Sequence, residues 1–368
     1  MNNIPELLRS FSGEKIDTLQ KWENFRREEI INAFKENVYG VRDIERPENL
    51  IFKNEGEYSE HGMRVKKIAA SFDDFTMNFK LFLPENTNKP LPVIVFVFHE
   101  AMENNLVFDE SGNMTSDKTV SRLPLKNITD KGFAVAVMPT SEIYPDHPVH
   151  ANFEVGVFSH IKPLKPRTKN SWATISAWSW GVSRVIDYLE TDGDIDSAKI
   201  AAVGHSRGGK TALWAAANDD RILLAVPNNS GCCGAAVLRG KKGEHAKDIN
   251  VTDWFCRKFK EFNDCEELLP IDQHMLVASI APRYVYITDS IEDEWTDPDA
   301  ELLSARLASE VYELYGLKGL VAAEAPMLNE VYQDGHIAFH VKQGNHSITE
   351  FDWQKIVDYF EKITKGVV

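Results

Sequence analysis

The chain reads as an α/β protein, a three-layer sandwich on a mostly parallel central sheet of about eight strands. Three observations predict this. Two strand-like runs come first, "RVKKIAAS" (64–71) and "TMNFKLFL" (76–83), the second alternating with period two. Continuous apolar runs follow, such as "PVIVFVF" (92–98) and "FAVAVM" (133–138), which suit a strand covered on both faces. Helical patterns then separate most of the later strands, which argues for right-handed crossovers and parallel pairing.

The elements follow in order. Leu19, Trp22, Phe25, Ile30, Ile31 and Phe34 recur at helical spacing over 16–37, inside an N-terminal helical segment of about residues 1–40. After the first four strands, residues 139–170 are Pro-rich and irregular. A loop that long in a compact domain often borders an active site. A long helix is predicted over 171–190. Strands are then predicted at 199–204, 223–229, 283–288 and 336–342, and helices at 207–218, 246–260, 269–280, 299–315 and 349–364. No Pro- or Gly-rich linker interrupts the strands and no repeat is visible, so residues 1–368 are read as one domain.

Composition narrows the function. The chain is 43% hydrophobic and 26% charged, as ordinary globular proteins are. A net charge of −15 and a pI of about 5.2 argue against a nucleic-acid partner, because neutralising phosphates needs clustered Lys and Arg. An anionic substrate in a local basic pocket stays compatible with that balance. No apolar run approaches a membrane span. The start, "MNNIPELLRSFSGEKI", has no basic stretch followed by an apolar block. The expectation is a cytoplasmic protein, or a secreted or periplasmic one whose signal was removed. Cys232, Cys233, Cys256 and Cys265 do not form a zinc pattern. Free thiols are expected, with one disulfide left open. Nothing in the sequence speaks to oligomeric state.

The chemistry concentrates in "IAAVGHSRGGKTALWAA" (200–216), which holds Gly204-His205-Ser206-Arg207-Gly208 between an apolar strand and a helix. Gly-x-Ser-x-Gly suits a nucleophile on a sharp strand-to-helix turn, whose neighbours must stay small. A serine needs a base, and the base an orienting acid. In a sheet of this kind they follow in the order Ser, acid, His. The base is expected after the last strand, where "HIAFHVKQGNHSITEFDW" supplies His346; His336 and His340 lie within the strand. The acid is expected after "RYVYIT" (283–288), and Asp289, Glu292, Asp293, Glu294 and Asp297 all qualify by position. Two cations, Arg207 and Lys210, crowd the nucleophile at a helix N-terminus, where positive charge is unfavourable.

These segments resemble the glucuronoyl esterases, a family of carbohydrate esterases, in their bacterial branch. The family's Ser-Arg-x-Gly-Lys motif reads here as Ser206-Arg207-Gly208-Gly209-Lys210. "DWFCRKF", "LPIDQHMLVASIAPR", "EDEWTDP" and "GNHSITEFDW" also resemble family segments, in the family's order. The resemblance implies an α/β-hydrolase fold and a serine esterase acting on 4-O-methyl-glucuronoyl esters of xylan, with no metal or organic cofactor. It implies that Arg207 helps stabilise the oxyanion and that Lys210 contacts the uronate sugar. Some members take their acid from Glu-Ser-Gly, which reads here as Asn229-Ser230-Gly231, so that acid is absent. Others use an aspartate two residues before a tryptophan, which points to Asp293 and Trp295, with Glu292 and Glu294 as runners-up. Trp295 would line the sugar pocket, and Glu244 matches a position near the substrate. The chain departs from the family in "VFHEAMENNLVF", where His99 and Glu100 stand in place of a Gly-rich segment.

Three rivals stand beside this reading. One is an acetyl xylan esterase or other carbohydrate deacetylase with the same triad. Another is a non-catalytic carbohydrate-binding protein that keeps the fold. The third is a metal site built on Asp146, His147 and His150.

Overall fold

The expected apolar runs all become strands, displaced by a residue or two at their ends, except that the strand expected at 199–204 begins four residues earlier, at Ile195. In chain order the strands of the main sheet are β1 (Ile51–Glu60), β2 (Met63–Phe72), β3 (Phe75–Pro84), β4 (Leu91–Phe98), β8 (Ala134–Pro139), β9 (Ile195–His205), β10 (Ile222–Asn228), β11 (Tyr284–Ser290), β12 (Val331–Tyr332) and β13 (Ile337–Lys342). The short β5 (Val107–Phe108), β6 (Met114–Ser116) and β7 (Thr119–Leu123) form a small sheet of their own. This computed structural model describes residues 4–99, 107–116, 119–146, 153–161, 166–250, 252–324 and 327–368.

Among the described residues the main sheet has ten strands, in the order β1-β2-β3-β8-β4-β9-β10-β11-β13-β12. The expectation of about eight therefore falls short at both edges. β1 reads "IFKNEGEYSE" and is exposed along most of its length, so it carries little hydrophobic signal. β12 is only two residues long. The six central strands β8, β4, β9, β10, β11 and β13 pair in parallel, while β1, β2 and β3 form an antiparallel flank.

Alternation along the central strands makes the layers. In β4, Val93, Val95 and Val97 join one core cluster, while Ile94 and Phe96 join the other. The first cluster takes the helices Thr174–Leu189, Arg207–Asn218 and Pro298–Leu314, and residues of the N-terminal segment such as Leu7, Trp22 and Phe34. The second takes Glu350–Thr364 through Trp353, Ile356 and Phe360. Period-two alternation in a doubly covered strand thus places helices on both faces, as expected.

One expected helix fails. Over 246–260 the chain forms only the short helix Ala246–Ile249 and a 3₁₀ turn at Arg257–Phe262. The backbone between them serves other elements. Asp253 O and Trp254 O accept from Thr174 N–H and Ile175 N–H at 3.2 and 3.1 Å, supplying acceptors to the open start of the long helix. Cys256 N–H donates to Val38 O at 2.8 Å. All four cysteines are free thiols.

Parallel pairing has one consequence for function. It brings the C-terminal ends of β4, β9, β10, β11 and β13 to one edge of the sheet. His99, Ser206, Asn229, Asp293 and His346 each lie just beyond one of those ends. Sites on open α/β sheets form at this edge.

Candidate active site

Ser206 sits where β9 turns into the helix Arg207–Asn218. Its backbone has φ 55° and ψ −125°, a region that costs a residue with a Cβ roughly 1–3 kcal/mol. The turn is held from both sides. Ser206 N–H donates to Asn228 O at 2.8 Å, and Lys210 N–H donates to Ser206 O at 3.0 Å. The flanking glycines are explained by space. A Cβ on Gly204 would stand 2.1 Å from Gly208 O, and one on Gly208 would stand 2.8 Å from Val97 O. Gly204→Ala is therefore expected to destabilise the protein by about 3 kcal/mol. A urea-denaturation midpoint equal to that of the parent would contradict this.

His346 lies in the loop between β13 and the helix Glu350–Thr364. Its Nδ1–H donates to Asp293 Oδ2 at 2.5 Å. A carboxylate only accepts, so the proton sits on Nδ1 and the Nε2 lone pair is free to act as a base. The His346 ring lies 4.5 Å, centroid to centroid, from that of His205, the residue before Ser206. The Ser206 hydroxyl makes no hydrogen bond among the described residues. Its rotor is thus free to turn to the imidazole when substrate arrives.

The other carboxylates that qualified by position are occupied elsewhere. Glu292 is exposed and accepts from Gln343. Glu294 is exposed. Asp297 caps the helix Pro298–Leu314, accepting from Ala300 N–H at 3.2 Å. Asp289 is fully buried behind Asp293. Burial alone would raise the Asp293 carboxyl. The bond donated by His346 and the bond donated by Asn229 outweigh it and hold Asp293 below the ordinary carboxylate value.

Arg207 points from the first helical position. Its guanidinium bonds Asp146 and lies 5.0 Å over the Trp254 ring, while Trp254 Nε1–H donates to Asp146 Oδ1 at 2.9 Å. Its Nε–H is buried and meets no acceptor among the described residues. An uncommitted cationic donor beside the nucleophile suits an oxyanion. Asp146 thus belongs to the Arg207 mount. His147, His150 and Glu100 fall outside the described residues, and among those described no cluster of His, Cys, Asp and Glu fits a metal.

Lys210 departs from expectation. Its ammonium is buried and donates to Ser230 O at 2.7 Å, Cys232 O at 2.6 Å and Glu244 Oε2 at 3.1 Å. Three acceptors occupy its three donors, so it faces protein here instead of an open pocket. It reaches the surface through Glu244, whose Oε1 accepts from Trp295 Nε1–H at 3.0 Å. Trp295, expected to line the sugar pocket, is 53% exposed. Lys210, Glu244 and Trp295 thus form a chain from the buried helix start to an open aromatic face.

Comparisons with known proteins identify the family. A protein-family profile described as "Glucuronyl esterase, fungi" matches residues 166–316. The structure superposes on a glucuronoyl esterase from Solibacter usitatus with a TM-score of 0.87 at 29% identity, covering 98% of this chain and 97% of that one. The chain is also 33% identical over 390 residues to "Carbohydrate esterase MZ0003" of an unknown prokaryotic organism, covering 99% of this chain and 90% of that protein. The chain belongs to the glucuronoyl esterase family. A solved CE15 esterase from a marine bacterial metagenome, described as promiscuous, is 33% identical with a TM-score of 0.83, covering 98% and 97% of the two chains. The fold is thus the α/β-hydrolase fold, and the protein is a carboxylic ester hydrolase. Within this glucuronoyl esterase the sequence reading missed Asp146 and Trp254 as the mount of Arg207, and it took Asn229 only as a lost acid. The signals were faint: Asp146 stood in a suspected metal motif and Trp254 in "DWFCRKF".

Proposed function

We propose that this protein hydrolyses 4-O-methyl-glucuronoyl esters of xylan or xylo-oligosaccharides through an acyl-enzyme on Ser206. The observation that carries the reading is the His346–Asp293 pair, delivered to the sheet edge beside a serine on a strained turn. Ser206 Oγ attacks the ester carbonyl carbon while His346 Nε2 takes its proton. The oxyanion is stabilised by Arg207 and by the free N–H groups of the helix start. The alcohol leaves with the proton from His346. Water, deprotonated by His346, then releases the uronic acid and restores Ser206. Trp295 offers its face to the pyranose ring, held by Glu244 and Lys210.

Arg207→Ala is expected to lower kcat about 10²- to 10³-fold with little change in KM, because the lost interaction belongs to the transition state. A variant whose KM alone rises would make Arg207 a ground-state binding residue instead.

A second reading has some support. The marine metagenomic relative is described as promiscuous, and the Lys210 ammonium is occupied by protein. An acetyl ester would also fit the triad. Catalytic efficiency on methyl glucuronate compared with p-nitrophenyl acetate separates the two. The uronate reading predicts clear preference for the glucuronate ester. Equal efficiency, or preference for the acetate, would favour the deacetylase.

A further inference from the structure

Behind Asp293 lies a buried network in which Asn229 is the central donor. Asn229 follows β10 with φ 43°, a left-handed conformation that asparagine tolerates better than most residues. Its Nδ2 donates to Asp293 Oδ2 at 2.8 Å and to Asp289 Oδ1 at 2.7 Å, with Ser290 Oγ at 3.2 Å. Facing two carboxyl oxygens, the amide must present its nitrogen. The same Asp293 oxygen receives the His346 proton.

Asp289 and Glu301 form the floor of this network. Asp289 Oδ1 also accepts from Ser290 N–H at 2.7 Å and Thr296 Oγ1–H at 2.9 Å. Glu301 Oε1 accepts from Ser230 N–H at 3.1 Å, Ser230 Oγ–H at 2.7 Å and Gly231 N–H at 2.8 Å. Each carboxyl thus has one fully engaged oxygen. The other oxygens, Asp289 Oδ2 and Glu301 Oε2, are buried and meet no donor. Two buried carboxyls, each with one oxygen that meets no donor, are relieved if one of them keeps a proton to donate to the other. Both residues are fully buried.

We propose that Asn229 is a positioning residue for Asp293, and that a proton shared by Asp289 and Glu301 holds Asn229 in place. Just beyond β10 this protein carries an amide that grips an acid brought from the loop after β11. With the shared proton in place, the pair presents one negative charge behind Asn229 instead of two. The charged groups that face the pair are Asp293 across Asn229, His346 beyond it, and Lys342, whose Nζ–H donates to Ser290 Oγ at 2.7 Å. Burial pushes Glu301 up to about 7 and raises Asp289, consistent with the retained proton.

The inference rests on the triad reading, so its test uses the rate at which a fluorophosphonate probe labels Ser206, which is independent of the natural ester. Asn229→Ala is expected to slow labelling about 10- to 100-fold, the scale of a slightly misplaced catalytic group. The downfield proton resonance of His346 Nδ1 is expected to shift in the same variant. Glu301→Ala should slow labelling similarly. Glu301→Gln should restore it to within about three-fold, because its carbonyl replaces Oε1 and its amide donates to Asp289 as the proton does. A folded Asn229→Ala that labels at the parent rate would overturn the positioning role. A folded Glu301→Gln as slow as Glu301→Ala would overturn the shared proton, and this arm stands even if Asn229→Ala does not fold. Failure of the parent to label at all would overturn the triad and this inference with it.

Discussion

Ser206→Ala is expected to lower kcat on uronate esters by about 10⁵- to 10⁶-fold and to abolish fluorophosphonate labelling, while leaving the fold intact. The magnitude follows from removing the nucleophile of a group that acts as a unit, where one deletion costs nearly as much as all. The intact fold follows from local structure. The Ser206 hydroxyl makes no hydrogen bond among the described residues, and the turn is held by its backbone through Asn228 O and Lys210 N. Alanine meets the same strain at φ 55° that serine meets. The melting temperature should therefore move by no more than about 2 °C. Residual activity near the parent level would place the nucleophile elsewhere.

Asp293→Ala should lower kcat about 10⁴-fold, with KM changed much less. Two effects follow. His346 loses the acceptor that fixes its tautomer and stabilises its imidazolium. Asn229 is released from Asp293 but keeps Asp289 Oδ1 and Ser290 Oγ as acceptors, so no buried donor is orphaned and the fold is expected to hold. Glu292→Gln and Glu294→Gln serve as controls and should stay within about two-fold of the parent, because both side chains are exposed. Steady-state kinetics on the three variants decides the assignment. A loss at Glu292 or Glu294 comparable to that at Asp293 would overturn it.

The central sheet was legible because its strands are covered on both faces and so are written as apolar runs. β1 was not, since an exposed edge strand needs no hydrophobic pattern. The false helix over 246–260 had helical spacing, but its carbonyls were claimed by the helix Thr174–Leu189 and its N–H groups by the carbonyls of Val38 and Lys169. The site divides in the same way. Ser206 announced itself because the turn imposes glycines on its immediate neighbours. His346 followed from chain order. The acid could not be chosen from residues alone, because burial and reach separate Asp293 from Glu292 and Glu294, and neither is written in a run of carboxylates. Asn229 looked like a deletion of function. Its partners lie 60 and 64 residues away, so only the folded sheet brings them together. Lys210 was read as a contact of the uronate sugar, but the carbonyls of Ser230 and Cys232 already accept from its ammonium.

The most direct test of uronate-ester hydrolysis at this site is a crystal structure of Ser206→Ala soaked with methyl 4-O-methyl-glucuronate. The account predicts the ester carbonyl carbon beside position 206, its oxygen toward Arg207 Nε and the helix start, and the pyranose against Trp295. A sugar bound with its ester group away from position 206 and His346 would contradict it.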